Sequence, residues 1–223
     1  FYAYDANFSG GVYVATGDVN HDGFDDIITG AGPGGGPHVI AFSGRDGSVL
    51  RSFFAYNTSF TGGVTVAAGD VNGDSFDDIV TGAGPGGGPH VKAFSGVDLS
   101  ELQSFLAYNA NFTGGVFVAA GDLTGDGKAD IVTGAGAGGG PNVKVFDGAT
   151  LSVLQNFFAY DATFTGGVTV GLHAQANSTA LAIRTGAGPG GGPNVRDFDA
   201  LTLQQLDSFF AFDKSFTGGV FVG

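Results

Sequence analysis

Apolar and polar residues alternate in short stretches along the chain, and glycine-rich or acidic segments separate these stretches. In one representative stretch, alternation over 63–68 predicts a strand, and the segment DIVTG over 78–82 predicts a second. Residues 90–94 and 102–108 predict a third and a fourth strand, each following a turn rich in glycine, proline or aspartate. The pattern therefore predicts a unit of four short antiparallel strands without a helix.

This four-strand pattern recurs every 52 residues without insertion or deletion. The same aromatic-rich slot is filled by Tyr2, Phe54, Leu106, Phe158 and Phe210. A period of this length indicates one supersecondary unit copied in tandem. Four-stranded sheets repeated radially are the blades of a β-propeller, so we predict an all-β β-propeller of four 52-residue, four-stranded antiparallel blades. A stacked solenoid is the alternative, although solenoids normally use shorter coils and parallel strands.

The repeat also predicts the domain organisation, a single tandem-repeat domain over 1–223. The predicted copies and their incomplete end pieces are 9–60, 61–112, 113–164 and 165–216, with 1–8 and 217–223 at the ends. The chain exceeds four periods by a 15-residue overlap, in which 1–15 and 209–223 have the same place in the unit. We expect an excerpt of a longer propeller, ends that overlap as a clasp, or surplus strands that pair with a neighbouring subunit and polymerise into a fibre. The lack of an initiator methionine and of a leader favours a processed or excerpted chain.

Composition narrows the possible partners. The 223 residues include 43 glycines, 22 phenylalanines and no cysteine, and the formal net charge is −13. Such an anionic chain repels phosphate backbones, which argues against nucleic-acid binding. No long apolar run is present, so we expect no membrane insertion. The carboxylates are either solvated or neutralised by cations.

An acidic segment between the first two strands carries the candidate chemistry. It reads DVNHDGFDD from Asp18, DVNGDSFDD from Asp70 and DLTGDGKAD from Asp122. Oxygen donors at positions 1, 3, 5 and 9 with a tight turn near position 6 suit a hard cation such as Ca²⁺. An EF-hand is excluded because its position 12 requires glutamate between helices, whereas this position holds Thr29 and Thr81 between predicted strands. An acidic β-turn without metal is the remaining alternative.

Together with Phe60 and Gly62 before it, and with Gly82 to Pro85 after it, the acidic motif resembles the FG-GAP repeat. That family includes the blades of integrin α-subunit head domains, and similar VCBS-type repeats occur in large secreted bacterial proteins. The resemblance covers the whole chain and implies Ca²⁺ bound in a β-hairpin of each blade. The ligands it implies, with the carbonyl donor last in each loop, are Asp18, Asn20, Asp22, Asp26 and Phe24; Asp70, Asn72, Asp74, Asp78 and Phe76; and Asp122, Thr124, Asp126, Asp130 and Lys128.

The copies depart from this pattern in ways that predict unequal sites. Ser75 replaces the turn glycine and adds strain if that residue needs a positive φ, and Thr124 is a weaker donor than asparagine. The ligand positions of the fourth copy read Ala174, Ala176, Ser178 and Ala182. We therefore expect about three Ca²⁺ ions and an empty fourth loop, which would change the formal charge to −7. The affinity expected is about 10⁻⁴–10⁻³ M, as in extracellular modules.

Other motifs indicate structure rather than catalysis. The glycine run over 82–89 lacks the helix and lysine of a phosphate-binding loop. His38 and His90 alternate with asparagine in later copies, so we interpret them as strand residues. Residues unique to one copy, namely His173, Arg184, Arg196, Asp197 and Lys214, are interpreted as drift.

The sequence therefore predicts a non-enzymatic, Ca²⁺-stabilised structural or adhesive module that is secreted or at the cell surface. Its expected partners are a protein or glycan at the cell exterior, with self-association. A lectin is the alternative, because carbohydrates stack on exposed aromatic rings; the candidates are Tyr4, Tyr56, Tyr108 and Tyr160, for which packing between blades is the competing interpretation. A polysaccharide lyase acting through His173 or Arg184 is a third hypothesis.

Overall fold

The computed structural model describes residues 1–175 and 180–223, and these residues form sixteen strands and no helix. The strands make four antiparallel sheets, each with four strands in consecutive order. The fold is therefore all-β and consists of four β-propeller blades, as the 52-residue repeat predicts. No helix that could cross a lipid bilayer occurs among the described residues. The chain divides into two compact units, Phe1–Val116 and Phe117–Gly223.

The first unit contains blades 1 and 2, each a meander whose first strand begins after a Gly-Gly pair. The strands of blade 1 and then of blade 2 are β1 (Val12–Gly17), β2 (Asp26–Ala31), β3 (His38–Phe42), β4 (Val49–Phe54), β5 (Val64–Gly69), β6 (Asp78–Ala83), β7 (His90–Phe94) and β8 (Glu101–Leu106). A register shift interrupts the pairing of the third and fourth strands in both blades. The repeated shift shows that the two copies fold in the same way down to local irregularities.

The second unit contains blade 4 and nearly all of blade 3, whose first strand begins at the unit boundary. The strands are β9 (Val116–Gly121), β10 (Asp130–Ala135), β11 (Asn142–Phe146), β12 (Val153–Phe158), β13 (Val168–Ala174), β14 (Leu181–Ala187), β15 (Asn194–Asp199) and β16 (Gln205–Phe210). The register shift between third and fourth strands recurs in both sheets.

Each unit has its core between two blades. In the first unit, Ile28 and Ala41 of blade 1 are buried in one cluster with Val64 and Val66 of blade 2. We call the face that a blade presents to the next blade its forward face, and the face that receives the preceding blade its rear face. Fully burying a valine or isoleucine side chain stabilises the fold by about 1.5–3 kcal/mol. Because the inner strand β5 is covered on both faces, nearly all its residues are buried.

The fourth strand of each blade ends earlier than the sequence pattern predicts. β4 ends at Phe54, and the chain then turns so that Tyr56 reaches the neighbouring blade. The Tyr56 hydroxyl lies 3.1 Å from Thr81 O and 2.9 Å from His90 O, with both carbonyls as acceptors. The tyrosine of the repeat therefore joins adjacent blades.

The glycine-rich segments form the seam between blades 1 and 2. Gly63 has φ +80°, and a Cβ there would lie 2.6 Å from the carbonyl carbon of Gly32. Across the same seam, the Gly34 N–H donates to Thr61 O at 2.8 Å. The run therefore serves close backbone packing between blades, and the turns within it agree with the predicted turn-rich segment.

Candidate metal centre

The three acidic segments form the hairpin loops that connect the first two strands of blades 1, 2 and 3. We call them loop 1 (18–25), loop 2 (70–77) and loop 3 (122–129), and position 9 of each motif is the first residue of the strand that follows. Positions 3 and 5 are solvent-exposed or half-buried, whereas position 9 is buried in every blade. An ion could therefore enter from solvent and meet a buried carboxylate.

The side chains of loop 1 fold back on the loop backbone. Asp18 Oδ1 accepts a hydrogen bond from Asp22 N at 3.0 Å, and its Oδ2 accepts from Gly23 N at 2.8 Å. Asn20 Oδ1 also accepts from Asp22 N, at 3.0 Å, and Asn20 Nδ2 donates to Asp22 Oδ2 at 3.3 Å. Positions 1, 3 and 5 are thus brought together on the inside of one turn.

Loop 2 repeats the hydrogen bonds that the first and third positions make in loop 1. Asp70 Oδ1 accepts from Asp74 N at 3.1 Å and Oδ2 accepts from Ser75 N at 2.7 Å. Asn72 Oδ1 accepts from Asp74 N at 2.9 Å. Ser75 has φ +73°, so the replacement of the turn glycine does place a serine in the left-handed region.

Loop 3 keeps the first and fifth positions but changes the third. Asp122 accepts from Asp126 N at 3.2 Å and from Gly127 N at 2.9 Å. Thr124 instead donates its own N–H to Asp130 Oδ2 at 3.1 Å. The position that holds an amide oxygen in loops 1 and 2 is therefore built differently in loop 3.

The carboxylates at position 9 have the most unusual environment. Asp26 accepts from Val19 N and Gly44 N at 3.1 Å each, and Asp78 accepts from Val71 N and Gly96 N at 2.9 and 3.2 Å. Burial raises the pKa of Asp26 and Asp130, and it raises the pKa of Asp78 to about 6. Neighbouring aspartates raise these pKa values further, because like charges disfavour ionisation.

The family resemblance implies that the residue at position 7 of each loop donates its carbonyl oxygen to the metal. The hydrogen bonds that the structure gives for these residues are those of their N–H groups. Phe24 N donates to Asp22 Oδ1 at 3.0 Å, Phe76 N to Asp74 Oδ1 at 2.9 Å and Lys128 N to Asp126 Oδ1 at 2.9 Å. Each of these residues therefore follows the turn closely enough to share its geometry. Coordination by their carbonyl oxygens stays a prediction.

The loops fit a hard cation by chemistry and by charge, although not through carboxylates alone. Among the described residues, no group of three or more aspartate, glutamate or histidine side chains is placed so that it could hold a metal by itself. An ion would need the amide, carbonyl and water oxygens that Ca²⁺ accepts. A cation would also offset the cost of the buried position-9 carboxylate, whose nearest charges are negative. The oxygen donors of the loops therefore fit a metal ion, and metal binding itself stays a prediction.

The fourth copy of the repeat lacks the aspartates of loops 1, 2 and 3. Ala182 is fully buried at position 9, and Ala174 is exposed at position 1. Ala176 and Ser178, the other two positions of the predicted empty loop, lie outside the described residues. Where the other loops bury a carboxylate, this copy buries a methyl group.

The position held by His38 and His90 in the third strand serves packing within each blade. His38 Nε2 lies 3.0 Å from Ser52 Oγ, and His90 Nε2 lies 2.9 Å from Ser104 Oγ. Asn194 occupies the same slot in blade 4 and donates to Ser208 Oγ at 3.3 Å. Both residue types therefore join the third strand to the fourth, which explains why they interchange.

Three of the five residues unique to the fourth copy form a cluster that the sequence did not reveal. Arg184 donates to Asp197 through Nε at 2.9 Å and Nη2 at 2.8 Å, and His173 Nε2 lies 3.1 Å from Asp197 Oδ2. Arg196 instead lies over the Tyr160 ring at 4.9 Å, and Lys214 lies over Phe210. The available signal was that Arg184 and Asp197 both replace apolar residues on facing strands.

The FG-GAP repeat family matches residues 4–50, 62–96 and 114–150, together more than half of the chain. This chain belongs to the FG-GAP repeat family. Each matched range contains one of the three acidic loops, and the fourth copy lies outside the matched ranges. An FG-GAP propeller fold supports a role as a protein-interaction module.

Solved structures with a similar fold are distant in sequence from this FG-GAP chain. The structure of U3-55K matches 96% of the chain and 56% of its own length, with 14% identity and a TM-score of 0.59. The Neurospora crassa Pan2 WD40 domain matches 93% of the chain and 51% of its own length, with 13% identity and a TM-score of 0.54. A Bacteroides caccae protein of unknown function matches 89% and 60%, with 10% identity and a TM-score of 0.51. The chain thus spans between 51% and 60% of these structures, and the likeness is one of fold alone.

Proposed function

We propose that this FG-GAP chain is a non-enzymatic interaction module that works outside the cell, with Ca²⁺ bound in loops 1, 2 and 3. The observation that carries the proposal is the buried aspartate at position 9 of each acidic loop, which has backbone donors but negatively charged neighbours. A divalent cation would favour the ionised form of this carboxylate and draw positions 1, 3 and 5 together. The ion would act as a structural clamp on each hairpin.

A calcium titration of the 223-residue chain, after a chelator has removed bound metal, tests this part of the proposal. We expect calorimetry to give about three sites of weak affinity, in the range of extracellular modules. Because an ion that binds only the folded chain stabilises it by mass action, thermal unfolding should shift upward with calcium, by an amount equivalent to about 2.7 kcal/mol when calcium reaches 100 times Kd. Absence of both heat and thermal shift up to about 100 mM calcium, which is about 100 times the weakest expected Kd, would refute the clamp.

Single-loop variants locate the ions. Asp18→Ala, Asp70→Ala and Asp122→Ala should each reduce the stoichiometry by one, because each removes the position-1 carboxylate. Asp25→Ala is the matched control, since Asp25 is an exposed acidic residue of loop 1 that is outside the proposed ligand set. An equal loss of binding in all four variants would indicate a nonspecific charge effect.

The proposed module would act through contacts with a protein or glycan at the cell exterior and through self-association, with a structural or adhesive result. The acidic surface, with a net charge of −13, supports partners that are neutral, cationic or bridged by calcium. Sedimentation at rising concentration with calcium tests self-association, and electron microscopy tests fibres. Compact monomers throughout would remove both from the proposal.

Carbohydrate binding is the second candidate function, and the structure favours a different repeat position from the tyrosines as the one that would stack against a sugar. The hydroxyl groups of Tyr4, Tyr56 and Tyr160 are used in hydrogen bonds to neighbouring strands, which supports packing for these rings. The slot two residues earlier is instead exposed in every copy, at Phe54, Leu106, Phe158 and Phe210. Aromatic rings beside amide or hydroxyl groups can stack sugars.

A glycan array in calcium, read with the wild-type chain and with Phe54→Ala and Phe158→Ala, tests this candidate. Binding that the two variants weaken would support a lectin, whereas a blank array would remove it. A lyase finds less support, because two guanidinium nitrogens of Arg184 are engaged by Asp197. Polysaccharide cleavage that His173→Ala abolishes in a folded chain would reverse that judgement.

A further inference from the structure

Loops 1 and 2 of the first unit are bonded to each other through residues that belong to the proposed calcium ligands or adjoin them. The Asp18 N–H donates to Asp77 Oδ2 at 2.9 Å, and the Asp77 N–H donates to Asp18 O at 3.0 Å. Asp18 is the proposed position-1 ligand of loop 1. Asp77 is position 8 of loop 2 and separates the carbonyl donor Phe76 from the buried carboxylate Asp78. One residue therefore stands between the ligand sets of two loops.

The backbone of blade 1 leaves room for this contact at a glycine. Gly17 is buried on the forward face of blade 1, directly before loop 1. A Cβ there would lie 2.7 Å from Asp77 Oδ2 and 2.6 Å from the Ala68 Cβ, which is too close for either contact. A side chain at this position would therefore push Asp77 away from loop 1.

A second contact joins the two loops through their rings. The ring centroid of His21, at position 4 of loop 1, lies 5.2 Å from that of Phe76. Position 4 is glycine in loops 2 and 3, as Gly73 and Gly125, and all three residues have a positive φ. His21 adopts this conformation despite its Cβ, which disfavours it. The loop that carries a ring at position 4 therefore places that ring against the neighbouring loop.

A turn of blade 2 meets the same junction from the end of its third strand. The Gly96 N–H donates to Asp78 Oδ1 at 3.2 Å, and Gly96 O accepts from Arg51 Nη2 of β4 at 2.7 Å. A Cβ on Gly96 would clash with Asp77 O and Val19 O, so only a bare backbone fits between the two loops. The position-9 carboxylate of loop 2 is therefore held by a turn that contacts both loop 1 and β4.

The second unit contains the equivalent junction without the hydrogen bond. Gly121 takes the place of Gly17 at the end of β9, and Leu181 takes the place of Asp77 in the fourth copy. A Cβ on Gly121 would lie 2.9 Å from Leu181 Cδ1, so a leucine side chain fills the same space. Position 8 of loop 3 is Ala129, which has no side-chain acceptor either. In the part of the chain that the structure describes, loops 1 and 2 are thus hydrogen-bonded, whereas loop 3 adjoins a leucine.

The link between loops 1 and 2 gives them a shared cost of ordering. When positions 1, 3 and 5 of loop 1 hold an ion, the Asp18 backbone is restrained. Its two hydrogen bonds then restrain Asp77 and the ligands on either side of it in loop 2. A loop that is already ordered loses less conformational entropy when it binds its own ion.

Repulsion between the two ions opposes this effect. Each loop offers three ligand aspartates, and their charges outweigh the two charges of one ion. Salt also screens charges at the exposed loops, with a Debye length of about 8 Å at physiological ionic strength. Because salt does not screen the ordering of the backbone, we expect the favourable effect to exceed the repulsion.

We propose that loops 1 and 2 bind calcium as a positively coupled pair, with Asp77 as the positioning residue that carries the coupling. This inference rests on the proposed calcium sites and adds which of them act together. By thermodynamic linkage, an ion in either loop raises the affinity of the other loop by the same factor. We expect about fivefold, at the low end of the usual range, because the link is a pair of hydrogen bonds at a half-buried residue.

Nuclear magnetic resonance of the 223-residue chain can measure the two loops separately. The N–H groups of Gly23 and Ser75 donate to the position-1 carboxylates of loops 1 and 2, so their signals report the filling of each loop. Asp74→Ala removes a ligand of loop 2 and should raise the Kd read at Gly23 about fivefold. Asp22→Ala removes a ligand of loop 1 and should raise the Kd read at Ser75 by the same factor.

Variants at position 8 separate the hydrogen-bonded link from charge. Asp77→Ala removes the acceptor and should bring both ratios of Kd close to one. Asp77→Asn keeps an oxygen that can accept from the Asp18 N–H, so the coupling should persist although the charge is lost. Asp25→Ala removes an exposed charge at the same position of loop 1 and should leave the coupling unchanged. The Kd of loop 3, read at Gly127, is the control for a general loss of affinity.

Several results would overturn the coupling while calcium still binds. Ratios of Kd near one would make the loops independent, and ratios below one would mean that repulsion between the ions dominates. Equal effects of Asp77→Asn and Asp77→Ala would assign the coupling to charge. An equal rise of Kd at Gly127 would indicate a general effect on the chain. Signals at Gly23 and Ser75 that stay unchanged up to about 100 mM calcium would instead refute the calcium sites themselves, and the coupling with them.

Discussion

The main-chain N–H of Asp18 donates to Asp77 Oδ2 at 2.9 Å, and the N–H of Asp77 donates back to Asp18 O at 3.0 Å. This reciprocal pair ties loop 1 of blade 1 to loop 2 of blade 2. Burial raises the pKa of Asp77, and the nearby carboxylates of Asp25 and Asp70 raise it further. The two candidate metal loops are therefore joined by hydrogen bonds, one of which uses the half-buried side chain of Asp77.

Asp77→Ala should destabilise the first unit by about 1 kcal/mol, because it removes the acceptor of the Asp18 N–H. Alanine is the natural residue at this position of loop 3, as Ala129. Asp25→Ala is the control, since Asp25 has the same place in loop 1 but is exposed. Urea unfolding measures both variants, and equal effects would contradict a specific role for the link between loops.

Ser75→Gly should raise the free energy of unfolding by about 0.5–1 kcal/mol, because glycine adopts positive φ without the Cβ penalty. Ser75 has φ +73°, and Gly127, in the same place of loop 3, has φ +83°. The reverse change Gly127→Ser should cost a similar amount, since a Cβ there meets no atom within 4 Å and only the backbone is strained. Thermal unfolding in excess chelator measures both changes without a metal contribution. Changes of the same sign would show that backbone strain is not the cause.

Arg184→Val should destabilise the chain by about 2 kcal/mol, because it leaves the buried Asp197 carboxylate without its guanidinium partner. The partial exposure of Arg184 keeps the loss below that of a fully buried pair. The double variant Arg184→Val/Asp197→Ala should recover most of the loss, since it recreates the pair formed by Val80 and Ala93 in blade 2. A double-mutant cycle measured by urea unfolding isolates the coupling, and additive losses would refute it.

The stability contribution of Asp197 should depend on pH in the acidic range. Its hydrogen bonds from Arg184 hold the pKa of Asp197 below its ordinary value, with His173 adding a smaller effect in the same direction. A lowered folded-state pKa means that the contribution is fully present above the unfolded pKa of about 3.9 and is lost as pH falls through the folded pKa. The wild-type advantage over Asp197→Asn should therefore shrink below about pH 4.

The Arg184→Val/Asp197→Ala chain provides the reference for that measurement, since it lacks both charges. Its unfolding free energy, followed from pH 7 downward, should lack the acid-dependent loss assigned to Asp197. An advantage of wild type over Asp197→Asn that stayed constant below pH 4 would show that the ion pair does not set the titration.

Much of the candidate site could be predicted because its determinants are local. Ser75 needs a positive φ because of the turn itself, whatever surrounds the turn in the fold. The Asp18 carboxylate accepts hydrogen bonds from N–H groups only four and five residues further along the chain. The packing role of Tyr56 was one of two open interpretations, and its bonds to Thr81 and His90 favour that one. Metal coordination stays a prediction, since donor chemistry alone supports it.

The sequence by itself determined the strand pattern, the 52-residue period and the three acidic loops, because alternation and turn chemistry act over a few neighbouring residues. Only the tertiary structure decided that Val14 is exposed while Val66 is buried, and that Arg184 meets Asp197 across two strands. Burial depends on which sheet lies against a face, and strand register determines which distant side chains meet. Neither quantity is set by the residues on either side in the chain.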